Sequence, residues 1–259
     1  MERLTIVKVG GKVVEDKDSL EELLKQFSMI RGKRILVHGG GKLATSLAEK
    51  LGIETQMVEG RRITDAATLE VVTMVYAGLV NKSIIAGLQS KGCNSIGLTG
   101  ADLDMIRAVK RPVKTIDYGF VGDILGVNTS ELRILLNEEV VPVVAPITHD
   151  GKGQLLNTNA DTIAADLAIE LSNYYTVNLF YCFEKKGVLL NPEDDNSVIS
   201  ELNYDYFKQL QLNGTIKEGM IPKLDNGFSA MKNGVSQVLI TNPFMISMAR
   251  GTRLSLRND

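Results

Sequence analysis

Apolar runs of strand length recur along the chain at 4–9, 35–38, 94–98, 140–145, 177–183 and 236–241. Amphipathic stretches fill the intervals, at 17–31, 41–51, 65–91, 129–138, 159–172 and 224–234. In the first of these, Leu20, Leu23, Leu24, Phe27 and Ile30 recur at helical spacing, which predicts a helix with one buried face. The short runs carry Val, Ile and Leu at both parities, so each strand is covered on two sides. Alternating strands and helices of this kind predict an α/β fold, an open and mainly parallel sheet sandwiched between helices. The segment DMIRAVKRPVKTIDYGFVGDILGV at 104–127 reads differently, as a β-hairpin turning near Arg111–Pro112 and set on one edge. A boundary near LSNYYT at 172–176 divides the chain into two lobes, a larger one over 1–172 and a smaller one over 173–259.

Composition narrows the classes. The 259 residues are 44% hydrophobic and 23% charged, ordinary values for a globular protein with a sizeable core. The 29 basic and 31 acidic residues give a net charge of -2, and no basic run is interleaved with aromatics, so no nucleic-acid partner is expected. The apolar stretches read as strand-sized, short of the roughly 20 residues a membrane helix needs, so no membrane association is expected. No signal-peptide pattern precedes the first strand. Cys93 and Cys182 lack CxxC spacing and are expected to be buried free thiols in a reducing cytoplasm. With His38 and His149 the only histidines, a histidine-based metal site is not expected.

Two strands run directly into glycine clusters that carry a lysine, LTIVKVGGK at 4–12 and ILVHGGGK at 35–42. Glycine turns after a strand let backbone N–H groups approach a phosphate with no side chain in the way. Taken singly, Gly10–Gly11 and Gly39–Gly41 could be plain tight turns. Lys8, however, lies inside the first strand, where burying a charge is costly unless it meets a partner, and a phosphate would be one. There is no GxxxxGK[ST], so an ordinary P-loop is excluded. His38 at the second strand's end reads as a satisfied, capped histidine. In LLNTNADTIAADLA, Asn159 reads as a helix N-cap, and Asn157 and Asp161 lie four apart across the helix start, able to face one crevice. In KEGMIPKLDNG, Lys223 sits in the first turn of a helix against the helix dipole, which suggests that an anion holds it there. In GRRIT, Arg61 or Arg62 could grip a carboxylate with a planar two-pronged guanidinium.

In order along the chain, KVGG, VHGGG, GRRIT, YAGLVNK, GLTGAD, YGFVGDI, VPVVAPI, NTNAD and GMIPK resemble the amino acid kinase (carbamate kinase-like) family over almost the whole length. Most closely they resemble its members that act on acylated glutamate. The resemblance implies the fold of that family, with edge β-hairpins and two lobes, 1–172 for acylglutamate binding and dimerisation and 173–259 for nucleotide binding. It implies that Lys8 and Lys223 stabilise the transferring phosphoryl group and that Asp161 orients both. Gly10 and Gly11 fall on the phosphate side. Gly40, Gly41, Arg62 and Asn157 fall on the substrate, with Arg62 rather than Arg61 on the α-carboxylate. Glu184, Lys185, Gly187, Val188, Leu189, Thr215 and Lys217 fall on the nucleotide side. At 183–187 the chain reads Phe-Glu-Lys-Lys-Gly where the family usually has Thr/Ser-Asp-Val-x-Gly, so Glu184 keeps the carboxylate one carbon longer.

The implied reaction moves the γ-phosphoryl group of ATP, with Mg²⁺ carried by the nucleotide, to the side-chain carboxylate of N-acetyl-L-glutamate, a step of arginine biosynthesis. A carboxylate is already ionised at neutral pH, so no general base is required, in keeping with the scarcity of histidine. The same chemistry on N-succinyl-L-glutamate is an alternative, needing a roomier pocket around Leu98–Asp102 and the 118–124 hairpin. A catalytically silent sensor of ATP or an amino acid is another. A dinucleotide-binding protein is disfavoured, because HGGGK lacks GxGxxG spacing. The first strand begins almost at Met1, without the added N-terminal helix of arginine-inhibited relatives, so an arginine-insensitive homodimer is expected.

Overall fold

The computed structural model describes residues 1–58, 61–216 and 219–257. Its strands are β1 (Arg3–Val9), β2 (Lys33–His38), β3 (Met57–Val58), β4 (Arg61–Arg62), β5 (Ser95–Leu98), β6 (Ile106–Lys110) and β7 (Gly122–Val127). They continue with β8 (Val141–Val144), β9 (Ile147–His149), β10 (Leu155–Asn157), β11 (Thr176–Cys182), β12 (Glu201–Asn203), β13 (Gln237–Thr241) and β14 (Thr252–Ser255). Eight of these form the main sheet in the order β12-β14-β13-β11-β1-β2-β8-β5. From β13 to β5 every pairing is parallel, and β14 turns back antiparallel to β13.

Alternation along β1 explains both layers. Leu4, Ile6 and Lys8 point to one face, where Leu4 and Ile6 join Ile35, Val37 and Leu179 against Ile163, Leu167 and Phe228 of the Ala160–Leu171 and Ile221–Lys232 helices. Val7 and Val9 point to the other, joining Leu36 and Phe180 against Leu23, Phe27, Val72 and Leu88 of the Lys17–Ser28 and Ala66–Gln89 helices. Each fully buried Leu, Ile or Phe contributes about 2 kcal/mol, so both faces hold the sheet. Cys93 and Cys182 are free and buried in the second layer.

The 104–127 hairpin is present as β6 and β7, but it does not edge the main sheet. It belongs to a second sheet, β10-β9-β6-β7, and its ends are joined by the whole 111–121 segment rather than by a tight turn at Arg111–Pro112. That loop is tied to the GRRIT segment: Thr64 donates to the Tyr118 carbonyl at 3.0 Å and Phe120 donates to the Thr64 carbonyl at 2.7 Å. Gly119 adopts φ 69°, and a Cβ there would stand 2.2 Å from the Thr64 oxygen, so only glycine fits this approach.

The apolar stretch at 66–89 is longer than a strand. It forms one helix, with a π-helical middle at Met74–Val80, that is long and apolar enough to cross a membrane; 44% of its most apolar window is packed inside the protein. The expectation of strand-sized apolar runs only is corrected accordingly.

Candidate active site

The first strand ends between two parallel neighbours, β2 on one side and β11 on the other. The chain leaves β1 toward β2 and returns much later as β11, so the glycine turns open into a crevice at the carboxyl ends of the strands, the usual ligand position of an open α/β sheet. Lys8 is 6% exposed and shares its face with Leu4 and Ile6. The two helices that cover this face both begin beside it, one with Asp161 and the other with Lys223. Lys8 Nζ lies 2.7 Å from Asp161 Oδ1, and Lys223 Nζ lies 3.0 Å from Asp161 Oδ2. The anion that the misfit of Lys223 called for is thus a protein carboxylate.

Asn159 starts the Asp161 helix as expected, accepting from the N–H groups of Asp161 and Thr162 at 2.8 and 3.2 Å. Burial opposes the charge on Asp161, but Lys8 and Lys223 outweigh it and hold its pKa below the ordinary value. Burial lowers the pKa of Lys8, with the neighbouring Lys223 adding to the effect against the pull of Asp161. The trio carries two cations against one anion and so keeps an excess positive charge at the crevice floor.

Both glycine turns meet here. Gly10 donates to the Cys182 carbonyl and Gly39 to the Val9 carbonyl, at 2.9 and 3.2 Å. Gly40 adopts φ 156°, and a Cβ on it would approach the Tyr76 ring to 3.1 Å. Glu15, from the short Gly11–Glu15 helix, accepts from Lys42 N at 3.1 Å and so links the first turn to the helix Gly41–Lys50 after the second. His38 is fully buried and faces the opposite side of the sheet from Lys8. Its Nδ1 hydrogen-bonds the Gly39 carbonyl at 2.8 Å and its Nε2 meets Asn81 Nδ2 at 3.1 Å. Burial drives its pKa down to about 4, so it is a satisfied, neutral histidine beneath the turn.

One cavity of about 220 Å³ holds the residues read as substrate contacts, Gly40, Gly41, Arg62 and Asn157, together with Lys8 and Asp161. Arg62 is 8% exposed; its Nη2 donates to the Gly41 carbonyl at 2.7 Å and to Thr45 Oγ1 at 2.8 Å. Its Nη1 is buried without a partner among the described residues, one prong left for an anion. Asn157 donates to Thr64 Oγ1 at 3.0 Å. Thr45, Thr64 and Tyr76 are supports that sequence reasoning missed, because their role depends only on what the fold places beside Arg62 and Gly40. Arg61, Arg111 and Val121 also line this cavity, but Leu98–Asp102 does not. Of the two segments expected to set the size of this pocket, the 118–124 hairpin reaches the cavity through Val121, and only Leu98–Asp102 is corrected. Asp102 instead accepts from Thr99 N at 2.6 Å within its own turn.

A second cavity, of about 600 Å³, lies on the other side of Lys8 and holds Gly10, Gly11, Glu184, Lys185, Gly187, Val188, Leu189 and Thr215, all read as nucleotide contacts, with Lys223. Gly187 packs tightly, since a Cβ would stand 2.6 Å from Thr252 Oγ1. Lys185 borders the cavity while its ammonium binds Asp195 at 2.9 Å. Lys217 lies outside the described residues, as does Gly60 of GRRIT.

The sequence profile of the amino acid kinase family matches residues 3–242. The chain is 60% identical over 251 residues to an acetylglutamate kinase of Phocaeicola vulgatus, covering 97% of this chain and 98% of that one. It is 57% identical to an acetylglutamate kinase of Bacteroides thetaiotaomicron, covering 98% of each. Among solved structures it is similar to smu.665 from Streptococcus mutans, with a TM-score of 0.80, 25% identity and coverage of 98% and 99%. The fold also matches carbamate kinase from Giardia lamblia bound to AMP-PNP, with a TM-score of 0.69, 13% identity and coverage of 97% of each chain.

Proposed function

The chain belongs to the amino acid kinase family, and we propose that it transfers the γ-phosphoryl group of ATP to the side-chain carboxylate of N-acetyl-L-glutamate, giving N-acetyl-L-glutamyl 5-phosphate and ADP. The step is one of arginine biosynthesis. The name shared by relatives at 57–60% identity over nearly the full chain supports the substrate pair. The observation that carries the chemistry is the position of Lys8, which lines both the smaller and the larger cavity. A phosphoryl group passing from one cavity to the other must pass its ammonium.

The division of labour follows the lining. The smaller cavity, built from residues before 172, takes the acylglutamate, with Arg62 Nη1 on the α-carboxylate and Asn157 beside it. The larger, built mainly from residues 183–223, takes the nucleotide. A carboxylate oxygen of the acceptor forms the new P–O bond while the bond from the γ-phosphorus to the β,γ-bridging oxygen breaks, and the electron pair leaves with ADP. Lys8 and Lys223 neutralise the charge that shifts toward that bridging oxygen, and Asp161 holds both in place. Backbone N–H groups of Gly11, Gly40 and Gly41 face the remaining oxygens.

Among the described residues no cluster of His, Cys, Asp or Glu is suited to a metal ion. Mg²⁺ would be carried by the nucleotide's own phosphates, where it would supply charge neutralisation.

The assay is ATP consumption with N-acetylglutamate, N-succinylglutamate, glutamate and aspartate, trapping the acyl phosphate with hydroxylamine. Hydroxamate from N-acetylglutamate supports the reading; ATP binding with no hydroxamate from any of the four points to a silent sensor. Hydroxamate chiefly from N-succinylglutamate supports the second reading, which is favoured by the guanidinium groups of Arg61 and of Arg111, the latter paired with Asp123, in the lining of the smaller cavity.

The protein is further proposed to be a homodimer. The Ala66–Gln89 helix turns Met74 (53% exposed) and Leu79 (60% exposed) outward, and Ile96 is exposed on β5, the edge strand beside it. A second copy would cover this apolar face and the unpaired edge together. A cytoplasmic setting would keep Cys93 and Cys182 reduced.

A further inference from the structure

We infer that Lys12 is a phosphate-binding residue of the nucleotide cavity, contacting the β- and γ-phosphates in exchange for Glu184; the inference rests on the nucleotide reading of that cavity. Lys12 follows directly on Gly10–Gly11, in the short Gly11–Glu15 helix, and borders the same cavity as Lys8 and Lys223. Its ammonium lies 2.6 Å from Glu184 Oε1, so the pair joins the turn after β1 to the turn after β11 across the cavity.

The fold gains little from this contact. The two side chains are 61% and 42% exposed, and ion pairs so exposed contribute about 0–1 kcal/mol. Both partners nevertheless face the space a nucleotide would fill, which structural need does not explain.

The charges around the cavity single out Lys12. Lys8 and Lys223 share Asp161, and Lys185 is drawn to Asp195. Among the described residues, Lys12 has as its partner the one acid that itself borders the cavity. The triphosphate tail of ATP carries about four negative charges at neutral pH. Placed beside Glu184 it would repel that carboxylate and attract the ammonium, and phosphate offers Lys12 the stronger, multiply charged partner. The exchange breaks no covalent bond and moves one flexible side chain. Glu184 keeps Lys12 positioned and lowers the cost of ordering it when the nucleotide arrives.

Equilibrium calorimetry with ATP and with AMP on the full chain tests the inference without relying on turnover. Lys12→Met is expected to weaken ATP about tenfold, the size of one partly exposed charge-assisted contact, while leaving AMP within about twofold. Lys12→Arg should restore most of the ATP affinity. The ATP affinity of the unsubstituted protein should also fall more steeply with salt than that of Lys12→Met. Unchanged ATP affinity in Lys12→Met, or equal losses for ATP and AMP, overturns the inference. Failure of the unsubstituted protein to form hydroxamate would instead count against the proposed reaction, leaving the ATP-against-AMP comparison to decide the role of Lys12.

Discussion

Lys8 of the first strand and Asp161 of the Ala160–Leu171 helix meet at 2.7 Å, with Lys223 on the other carboxylate oxygen at 3.0 Å. Three segments far apart in sequence converge because one face of β1 is covered by two helices that begin at the same end of the sheet. Removing either lysine should leave the fold standing, since Asp161 keeps the other as partner. Lys8→Met and Lys223→Met are each expected to lower kcat by on the order of a hundredfold, about 3 kcal/mol of lost charge stabilisation, with a near-unchanged Tm. Steady-state rates beside thermal melts check this; near-normal turnover in either variant would sink the assignment.

Asp161 should behave differently. In Asp161→Ala, Lys8 remains buried without its counter-charge, and breaking a buried pair from one side costs about 3–5 kcal/mol. A clear drop in urea midpoint together with lost activity is expected. Activity lost at full stability would mean that Asp161 does not hold the lysines.

Arg62 offers one buried, unpartnered Nη1 to the smaller cavity while Nη2 is held by Gly41 and Thr45. Arg62→Ala should raise KM for the acylglutamate by about tenfold or more and leave KM for ATP within about twofold. Equal rises in both constants would argue against a substrate contact.

His38 links acidity to stability. Its pKa falls from 6.5 to about 4 on burial, so between those values the unfolded chain binds a proton that the folded one refuses. Stability is therefore present above pH 6.5 and lost as pH falls toward 4, by about 2 kcal/mol at pH 5. Urea titrations at pH 7.5 and 5.0 should show this loss, and His38→Gln should flatten it. An unchanged slope in the variant would place the acid sensitivity elsewhere.

For the homodimer, sedimentation should report two copies for the unsubstituted protein and one for Leu79→Glu, which sets charges across the outward apolar face. A monomer in both would remove the proposal.

Much of the fold was legible because strand-length apolar runs with both parities filled have few solutions other than a covered parallel sheet. All six expected strands and all six expected helices are present, within a few residues. What escaped was short: β3, β4, β9, β10, β12 and β14 have two to four residues each, too few for a period to register. The helix Tyr204–Leu212 also escaped, although Asn203 caps it by accepting from Tyr206 N at 2.8 Å.

Local order, by itself, determined the strand-to-glycine turns, the Asn159 cap and the misfit charges of Lys8 and Lys223, because each is a matter of backbone freedom or burial over a few residues. That the two misfits answer each other through Asp161 was implied only by the family resemblance of the motifs, and the tertiary structure supplies the contact itself. Tertiary structure alone set Thr45 and Gly41 on one prong of Arg62, and brought Arg111 and Val121 rather than Leu98–Asp102 to the smaller cavity. These are relations between segments, fixed by which helix ends the sheet's parallel order brings to the same edge, and no short-range pattern along the chain encodes that distance.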